Sequence, residues 1–556
     1  MKRIFLIFII FLAFFLRFYR LGDYPALNAD EAAIGYNAYS LIQTGKDEHG
    51  NAWPIHFQSF NDYKPGLYFY LVTPLVKFFG LNEWTVRIPG ATLGVLTVVI
   101  VYFLAKELFP NAPKFPILNF RRKNSYLLSI GEVAALFLAI SPWHLHFSRG
   151  GWEVNASTFF ITMGVWLFLK ALKNPKLFIF SFLLFILSLY TYHAARVIVP
   201  FLAFGLLIFY RKEIGKSIKP VIVAAIFGVI LLLPLLKDMF GPAGISRASG
   251  VGLFADPGPI NRINEQRGEH ANLSSLSAKI IHNKPVNYSL AFLDNWSEHF
   301  WGEFLFLTGD SIQRDKVPET GQMYLFDILL LFVGFYAFAK KSDKGAKLIL
   351  WWLVIAPVAA ALTFQCPHAL RSHNMVIPLI IISALGFVTL ISWIRNISKN
   401  KSVCTLLYFL LVTLVVWNFA RYEHMYWIHM AKEYPYSSQY GVKELVAFVS
   451  ENQDKYKNIF VTGRYDQPYI LFLFYMEYPP DKFQADHILT AKDKFGFSTV
   501  FGFDKYQFGN IDFNTVKSKN PNSLIIGTSE EIPKGENIIK RIKGTNGFEY
   551  FDIVTN

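Results

Sequence analysis

The sequence predicts a polytopic α-helical membrane protein, with about 11 transmembrane helices and a small C-terminal α/β domain. Three observations predict it. The 556 residues are 53% hydrophobic and only 17% charged, below the charge that a soluble domain usually carries. The apolar residues gather in blocks of roughly 14–21, separated by short polar loops. From Arg421 onward this alternation stops and a polar segment with short apolar strands begins.

Candidate spans fall at 4–16, 88–108, 127–143, 153–171, 177–192, 196–210, 219–236, 323–339, 348–364, 374–394 and 403–420. Alternate loops are basic. Pro110–Tyr126 carries Lys114, Arg121, Arg122 and Lys123 without an acid; later come Lys173 and Lys176, Arg211 to Lys219, Lys340 to Lys347, and Arg395 to Lys401. The positive-inside rule assigns these loops, with Lys2 and Arg3, to the cytoplasm. Parity then leaves residues 17–87 outside, with Leu67–Phe79 too short for a standard span and read as an interfacial helix. Eleven crossings also put the tail outside. The division is therefore 1–420, a transmembrane domain with external segments 17–87 and 237–322, and 421–556, an extracytoplasmic α/β domain. The first apolar segment follows Lys2-Arg3 and could be a signal peptide, but no small-x-small site follows, so an uncleaved first span is expected.

The net charge of +14 is thus largely a topology signal and does not predict nucleic-acid binding. No Walker loop, dinucleotide glycine pattern or Cys/His metal spacing occurs. The two cysteines fall on opposite sides of the membrane in this reading and form no disulfide. All 13 histidines fall in external segments or at outer membrane edges, so polar chemistry concentrates there.

The first external segment carries the strongest candidates. Asn28 precedes a helix-like stretch, Asp30 to Thr44, and Glu31 three residues on resembles a capping box. Asp30 then sits in the first turn, where the helix dipole favours its charged form. An ionised carboxylate at the membrane edge suits a general base; ordinary helix-start charge is the alternative reading for Asp30 and Glu31. Lys64, before Pro65, is a point-charge partner for phosphate or a lysine snorkelling to the headgroups.

Leu16–Gly22, Asp30-Glu31, Asp62–Gly66 and Val86-Arg87-Ile88-Pro89-Gly90-Ala91 together resemble the GT-C superfamily of membrane glycosyltransferases. The similarity is to the branch using polyprenyl-phosphate sugars: protein O-mannosyltransferases, the lipid A aminoarabinose transferase and lipopolysaccharide galacturonosyltransferases. It covers about the first 200 residues in motif and the rest in hydropathy. The resemblance implies that Asp30 is the catalytic base with Glu31 beside it, and that Lys64-Pro65 holds the lipid phosphate. It also implies a donor-side arginine and acid in the second external loop. Arg149 and Glu153 fit loosely, because Gly150-Gly151 sets them farther apart than in many relatives. Trp143 and Trp152 there read equally as interfacial anchors.

His193 with Arg196, and His368 with Arg371, place a histidine and an arginine at two further outer boundaries. Arginine clamps phosphate oxygens bidentately, and headgroup contact is the alternative. The implied activity is inverting sugar transfer from a polyprenyl-phosphate donor to an acceptor hydroxyl at the outer face of the cytoplasmic membrane. The partners are that donor, an acceptor of unknown kind and membrane lipid. No cofactor is required, and a divalent metal is permitted but not demanded by any spacing. Two rivals remain: transfer of a whole lipid-linked oligosaccharide or polysaccharide polymerisation, and a lipid-phosphate transporter. A transporter should show paired repeats and mid-membrane charges, and no clear repeat is visible.

Residues 237–322 begin loop-like, with Asp256-Pro257-Gly258-Pro259 as turn chemistry, and continue into an aromatic stretch, Asn287 to Thr308, read as interfacial. The tail, with strands around Ile459 and Ile525, shows no catalytic motif and reads as an acceptor-recognition element or a structural cap.

Overall fold

The computed structural model describes residues 2–60, 62–116, 127–241, 252–340, 343–397, 400–435, 437, 439–492 and 498–556. Arg121, Arg122, Lys123, Lys341 and Lys399, with residues 242–251 of the 237–322 segment, lie outside the described residues. The chain is a multi-pass α-helical membrane protein with a C-terminal β-sheet domain. It divides into two compact units: one holds Met1–Arg17, Thr92–Ser148 and Glu153–Glu423, the other Phe18–Ala91, Arg149–Trp152 and His424–Asn556.

The first unit is helical. Helices lie at or near every expected apolar block, including Lys2–Phe18, Glu83–Leu108, Glu153–Ala171, Ile218–Met239, Leu325–Lys340 and Lys401–His424. Six helices among the described residues are long and apolar enough to cross a membrane, or seven if one bent pair is a single span. Ala195–Phe209 and Pro175–Leu189 are shorter than that. Leu325–Lys340 packs on Val376–Ile397 with almost no gap. A Cβ on Gly386 would stand 1.9 Å from the Leu330 carbonyl oxygen, so only glycine permits this approach.

The block expected as one straight span at 127–143 is instead Ile130–Ile140 followed by Pro142–Ser148, bent by 58°. Proline supplies the cause: Pro142 has no N–H for the carbonyl of Leu138, four residues back. Arg17 fills the gap from the first helix, donating to Leu138 O at 3.3 Å and Ala139 O at 3.1 Å. It also bonds Ser148 Oγ at 3.2 Å and His144 Nδ1 at 2.8 Å, and it is wholly buried. The segment 141–153, expected as the second external loop, is accordingly part helix. Trp143 is no interfacial anchor: it is fully buried, with its indole N–H on the Ala369 carbonyl at 3.0 Å. Trp152 is buried too.

In the second unit, β1 (His56–Ser59) and β2 (Asp62–Pro65) form an antiparallel hairpin that leads into the apolar helix Leu67–Phe79. β3 (Phe115–Pro116) and β4 (Leu127–Leu128) are a minimal antiparallel pair in the first unit. The tail builds a seven-stranded sheet from β5 (Asn458–Thr462), β6 (Ile488–Leu489), β7 (Val500–Phe503), β8 (Tyr506–Gly509), β9 (Ser523–Gly527), β10 (Ile538–Lys543) and β11 (Glu549–Thr555). The order is β10-β11-β9-β5-β8-β7-β6, with β5 parallel to both neighbours and the other pairs antiparallel. Phe460, Phe513, Ile525, Ile532 and Val554 form a core cluster on this sheet. Tail helices Pro468–Tyr475 and Pro480–Asp486 pack against Ala29–Thr44, so the segment after the first helix and the tail share one core.

Candidate active site

The helix Ala29–Thr44 starts as the sequence requires. Asn28 is extended (φ −93°, ψ 167°), its side chain accepts from the Glu31 amide, and Glu31 reaches back to the Asn28 amide, completing a capping box. A second cap comes from the tail. Gln439 Oε1 accepts the Ala29 N–H at 2.6 Å, across 410 positions of sequence. Two of the orphan donors at the helix start are thereby satisfied.

Consecutive positions on a helix point about 100° apart, and Asp30 and Glu31 meet different surroundings. Glu31 is buried to 1% exposure. Its Oε1 accepts from Arg87 Nε at 2.7 Å and the Gly151 N–H at 2.8 Å. Its Oε2 accepts from Arg87 Nη2 at 2.7 Å, and from Asn28 Nδ2 and N at 3.1 and 3.2 Å. Five donors therefore converge on one carboxylate. Arg87 is itself fully buried and donates further to the carbonyls of Leu21, Pro25 and Ala26 at 2.9, 2.9 and 3.2 Å. Gly151 must be glycine for this contact: a Cβ there would stand 2.8 Å from Val86 Cγ1 and 3.3 Å from Glu31 Cγ. The glycine pair that separates Arg149 from Glu153 thus lets the backbone reach Glu31.

Asp30 is half-buried and forms an ion pair and hydrogen bond with Lys64 Nζ. The hairpin sets this pair: Lys64 stands opposite Phe57 in the β1–β2 register, and its ammonium lies 5.3 Å from the Phe60 ring centroid. The helix that follows is tied to the Arg87 helix by Tyr68. Its hydroxyl donates to Val86 O and accepts from the Gly90 N–H, both at 3.0 Å, bridging the interruption around Pro89.

Arg149 belongs to the same unit and is buried to 2% exposure. Its Nε donates to Tyr426 Oη at 2.9 Å, its Nη2 to Tyr24 O at 3.3 Å, and its guanidinium lies 4.8 Å from the Trp427 ring. The structure thus brings Asp30, Glu31, Lys64 and Arg149 into one unit.

Glu153, His193, Arg196, His368 and Arg371 fall in the other unit. Glu153 is buried in the first turn of its helix. Arg196 bonds His193 Nδ1 at 3.1 Å and the Leu189 carbonyl at 3.3 Å. Arg371 bonds Thr363 Oγ1 at 2.7 Å and Gln365 Oε1 at 3.3 Å. His368 is buried beside Asp310 and Asp315. Sequence reasoning did not single out Gln439, Tyr426 or Gly151 as site residues. Each acts over more than 100 positions of chain, and only the odd glycine pair was a visible signal.

A profile of the dolichyl-phosphate-mannose-protein mannosyltransferase family matches residues 7–112, the stretch that contains Asp30, Glu31, Lys64 and Arg87. An uncharacterized protein of Aquifex aeolicus is 27% identical over 165 residues, 30% of this chain and 29% of that protein. Among solved structures, ArnT from Cupriavidus metallidurans bound to undecaprenyl phosphate aligns with 99% of this chain and 97% of its own, at TM-score 0.53 and 10% identity. The archaeal oligosaccharyltransferase AglB of Archaeoglobus fulgidus, in complex with an inhibitory peptide and a dolichol-phosphate, aligns with 85% of this chain at TM-score 0.50 and 13% identity. This chain spans 63% of that protein's length. The fold is therefore the one that these solved structures share, as the GT-C resemblance implied.

Proposed function

We propose that this protein transfers a sugar from a polyprenyl-phosphate donor to an acceptor hydroxyl at the outer face of the cytoplasmic membrane, with inversion. The single observation that carries the reading is the Asp30–Lys64 pair on a helix start held rigid by Glu31, Arg87 and Gly151. A carboxylate and an ammonium in contact are the two groups that the reaction asks for.

In the proposed step Asp30 takes the acceptor's hydroxyl proton while that oxygen bonds to the anomeric carbon from the face opposite the phosphate. The bond from the anomeric carbon to the phosphate oxygen breaks, and polyprenyl phosphate leaves with the electron pair. Lys64 turns from Asp30 to the donor phosphate, so donor binding releases the base and holds the leaving charge. Glu31 is a positioning residue, since all its acceptor capacity faces Arg87, Gly151 and Asn28. Arg149 orients the aromatic wall of Tyr426 and Trp427. Arg196 and Arg371 serve as headgroup-level contacts for lipid phosphate. Eleven crossings, with the basic loops inside and the tail outside, complete the reading.

The test uses the purified full chain in proteoliposomes with a panel of polyprenyl-phosphate sugars and lipid or peptide acceptors, following release of polyprenyl phosphate. Asp30→Asn should lower the rate by about 10²-fold or more with donor binding kept. Turnover of the variant at the parent rate removes Asp30 as base. Vectorial movement of lipid phosphate without sugar transfer favours the transporter rival.

A further inference from the structure

His368 was expected at the donor phosphate, but its surroundings are those of a ligand set. Asp310, Asp315 and His368 are buried to 0, 1 and 4% exposure, and their ligating atoms all lie within 4.8 Å of one another. His368 Nδ1 stands 3.4 Å from Asp310 Oδ2 and 3.5 Å from Asp315 Oδ2, and it makes no hydrogen bond. A protonated imidazole between two carboxylates would close to about 2.7–2.9 Å. Donor atoms around a tetrahedral ion, each about 2.0–2.1 Å from it, stand about 3.4 Å apart with their lone pairs aimed at the centre.

We propose that Asp310, Asp315 and His368 bind one divalent transition-metal ion of the zinc class, which staples the segment around 309–322 to the segment around 365–373.

The donor chemistry selects the class. One imidazole and two carboxylates suit zinc and its neighbours, whereas calcium and magnesium take oxygen sets of six or more. An outer shell is present as well. Asp310 Oδ1 accepts the Ile312 N–H at 2.8 Å and Oδ2 accepts the Ala369 N–H. The His368 amide donates to His299 Nε2 at 3.1 Å, and His299 Nδ1 meets the Asn295 carbonyl at 2.8 Å. Outer partners of this kind fix the orientation of metal ligands. The segments joined are otherwise irregular, and Trp143 fastens the second through Ala369. The site lies within one unit and is independent of the sugar-transfer reading.

The experiment takes the full chain, purified in detergent with no histidine tag, stripped with chelator and titrated with zinc sulfate. Bound zinc is read by mass spectrometry. The histidine pairs His270–His282, His424–His429 and His49–His487, with ring nitrogens 3.1, 3.3 and 3.3 Å apart, are the competing binders, so His270→Ala/His429→Ala/His487→Ala is the control. One zinc per chain is expected in the parent and the control, with affinity weakened about 10- to 100-fold or more in Asp315→Asn and His368→Gln. Unchanged binding in both ligand variants, loss in the control, or no zinc bound by the parent overturns the proposal. If His368→Gln does not fold, Asp315→Asn and the visible spectrum of the cobalt-loaded parent decide: an intense tetrahedral band supports the site, and its absence overturns it.

Discussion

Glu31→Gln separates scaffold from chemistry at the acidic pair. The substitution keeps the side chain's shape and replaces one oxygen by an amide that donates. Five donors now face that carboxylate, three on Oε2 and two on Oε1. Whichever way the amide turns, its NH2 meets at least two donors. Arg87, fully buried, loses its countercharge. Removing one partner of a buried ion pair costs about 3–5 kcal/mol. For a cooperative unit of about 150–250 residues each kcal/mol moves Tm by about 2–4 °C, so the shift is a fall of about 6–20 °C.

The assay is thermal unfolding in detergent, followed by intrinsic fluorescence, beside turnover measured well below the new Tm. Folded Glu31→Gln should retain much more activity than Asp30→Asn. Glu31→Leu combined with Arg87→Met should recover part of the lost stability, because replacing both charges removes the desolvation penalty of each. If Glu31→Gln melts with the parent and yet abolishes turnover, Glu31 is a reacting group and its assignment as scaffold is refuted.

Asp30→Asn should do the reverse, losing about 10²-fold or more in turnover with Tm within a few degrees of the parent. Lys64→Met should weaken donor binding and turnover together; a change in acceptor KM alone would contradict its place at the phosphate. Arg17→Met should destabilise the helical unit, since the Ala139 carbonyl loses the Arg17 N–H and a buried carbonyl left bare costs about 1–3 kcal/mol, while Leu138 O keeps only the Ser141 N–H at 3.4 Å; an unchanged Tm would show that the bend is self-supporting. At His49, burial works against the charged form, but the Glu48 carboxylate 3.5 Å from Nε2, with the charge of Asp47, outweighs it and raises the pKa above 6.5. His487, 3.3 Å away, is pushed below 6.5 by burial, aided by the charge of His49. His49 thus adds stability below about pH 6.5 that is lost as pH rises through its raised value, and His487 contributes in the opposite sense. His487→Gln should therefore steepen the fall in Tm from about pH 6 to 8, and an identical slope would show that burial does not depress His487 in the folded protein.

The apolar blocks were legible because a membrane demands long runs of one composition, and helices lie where those runs do. The bend at Ser141 was not read, although Pro142 announces it. Hydropathy counts apolar residues and is blind to a freed carbonyl, and the partner that satisfies it, Arg17, lies 121 positions away. Asn28 and Glu31 gave the capping box correctly because it is local, with every partner within three residues. Arg87 was visible as part of a motif, but its pairing with Glu31 spans 56 positions and leaves no mark on spacing. His368 was read with Arg371, its neighbour in sequence; its buried neighbours are Asp310 and Asp315, supplied by a segment more than 50 positions earlier.

Adjacency in the chain suggested that Asp30 and Glu31 act together, and helix geometry argues that they do not. One step along a helix turns the side chain by about 100°, enough to send the two carboxylates to different partners. Glu31 faces inward, where Arg87, Gly151 and Asn28 consume its lone pairs. Asp30 faces a lysine on a short hairpin whose side chain keeps some exposure, a single mobile partner of the kind that a phosphate can draw away. A base must exchange its proton with something that arrives and leaves, so a saturated carboxylate is poorly suited to the role and a lysine-paired one is not. The rigidity of the first is what gives the second a fixed position, since both hang from the same capped turn. The tail enters by the same logic: Gln439 caps that turn at Ala29, so a domain without a catalytic motif sets where the proposed base stands.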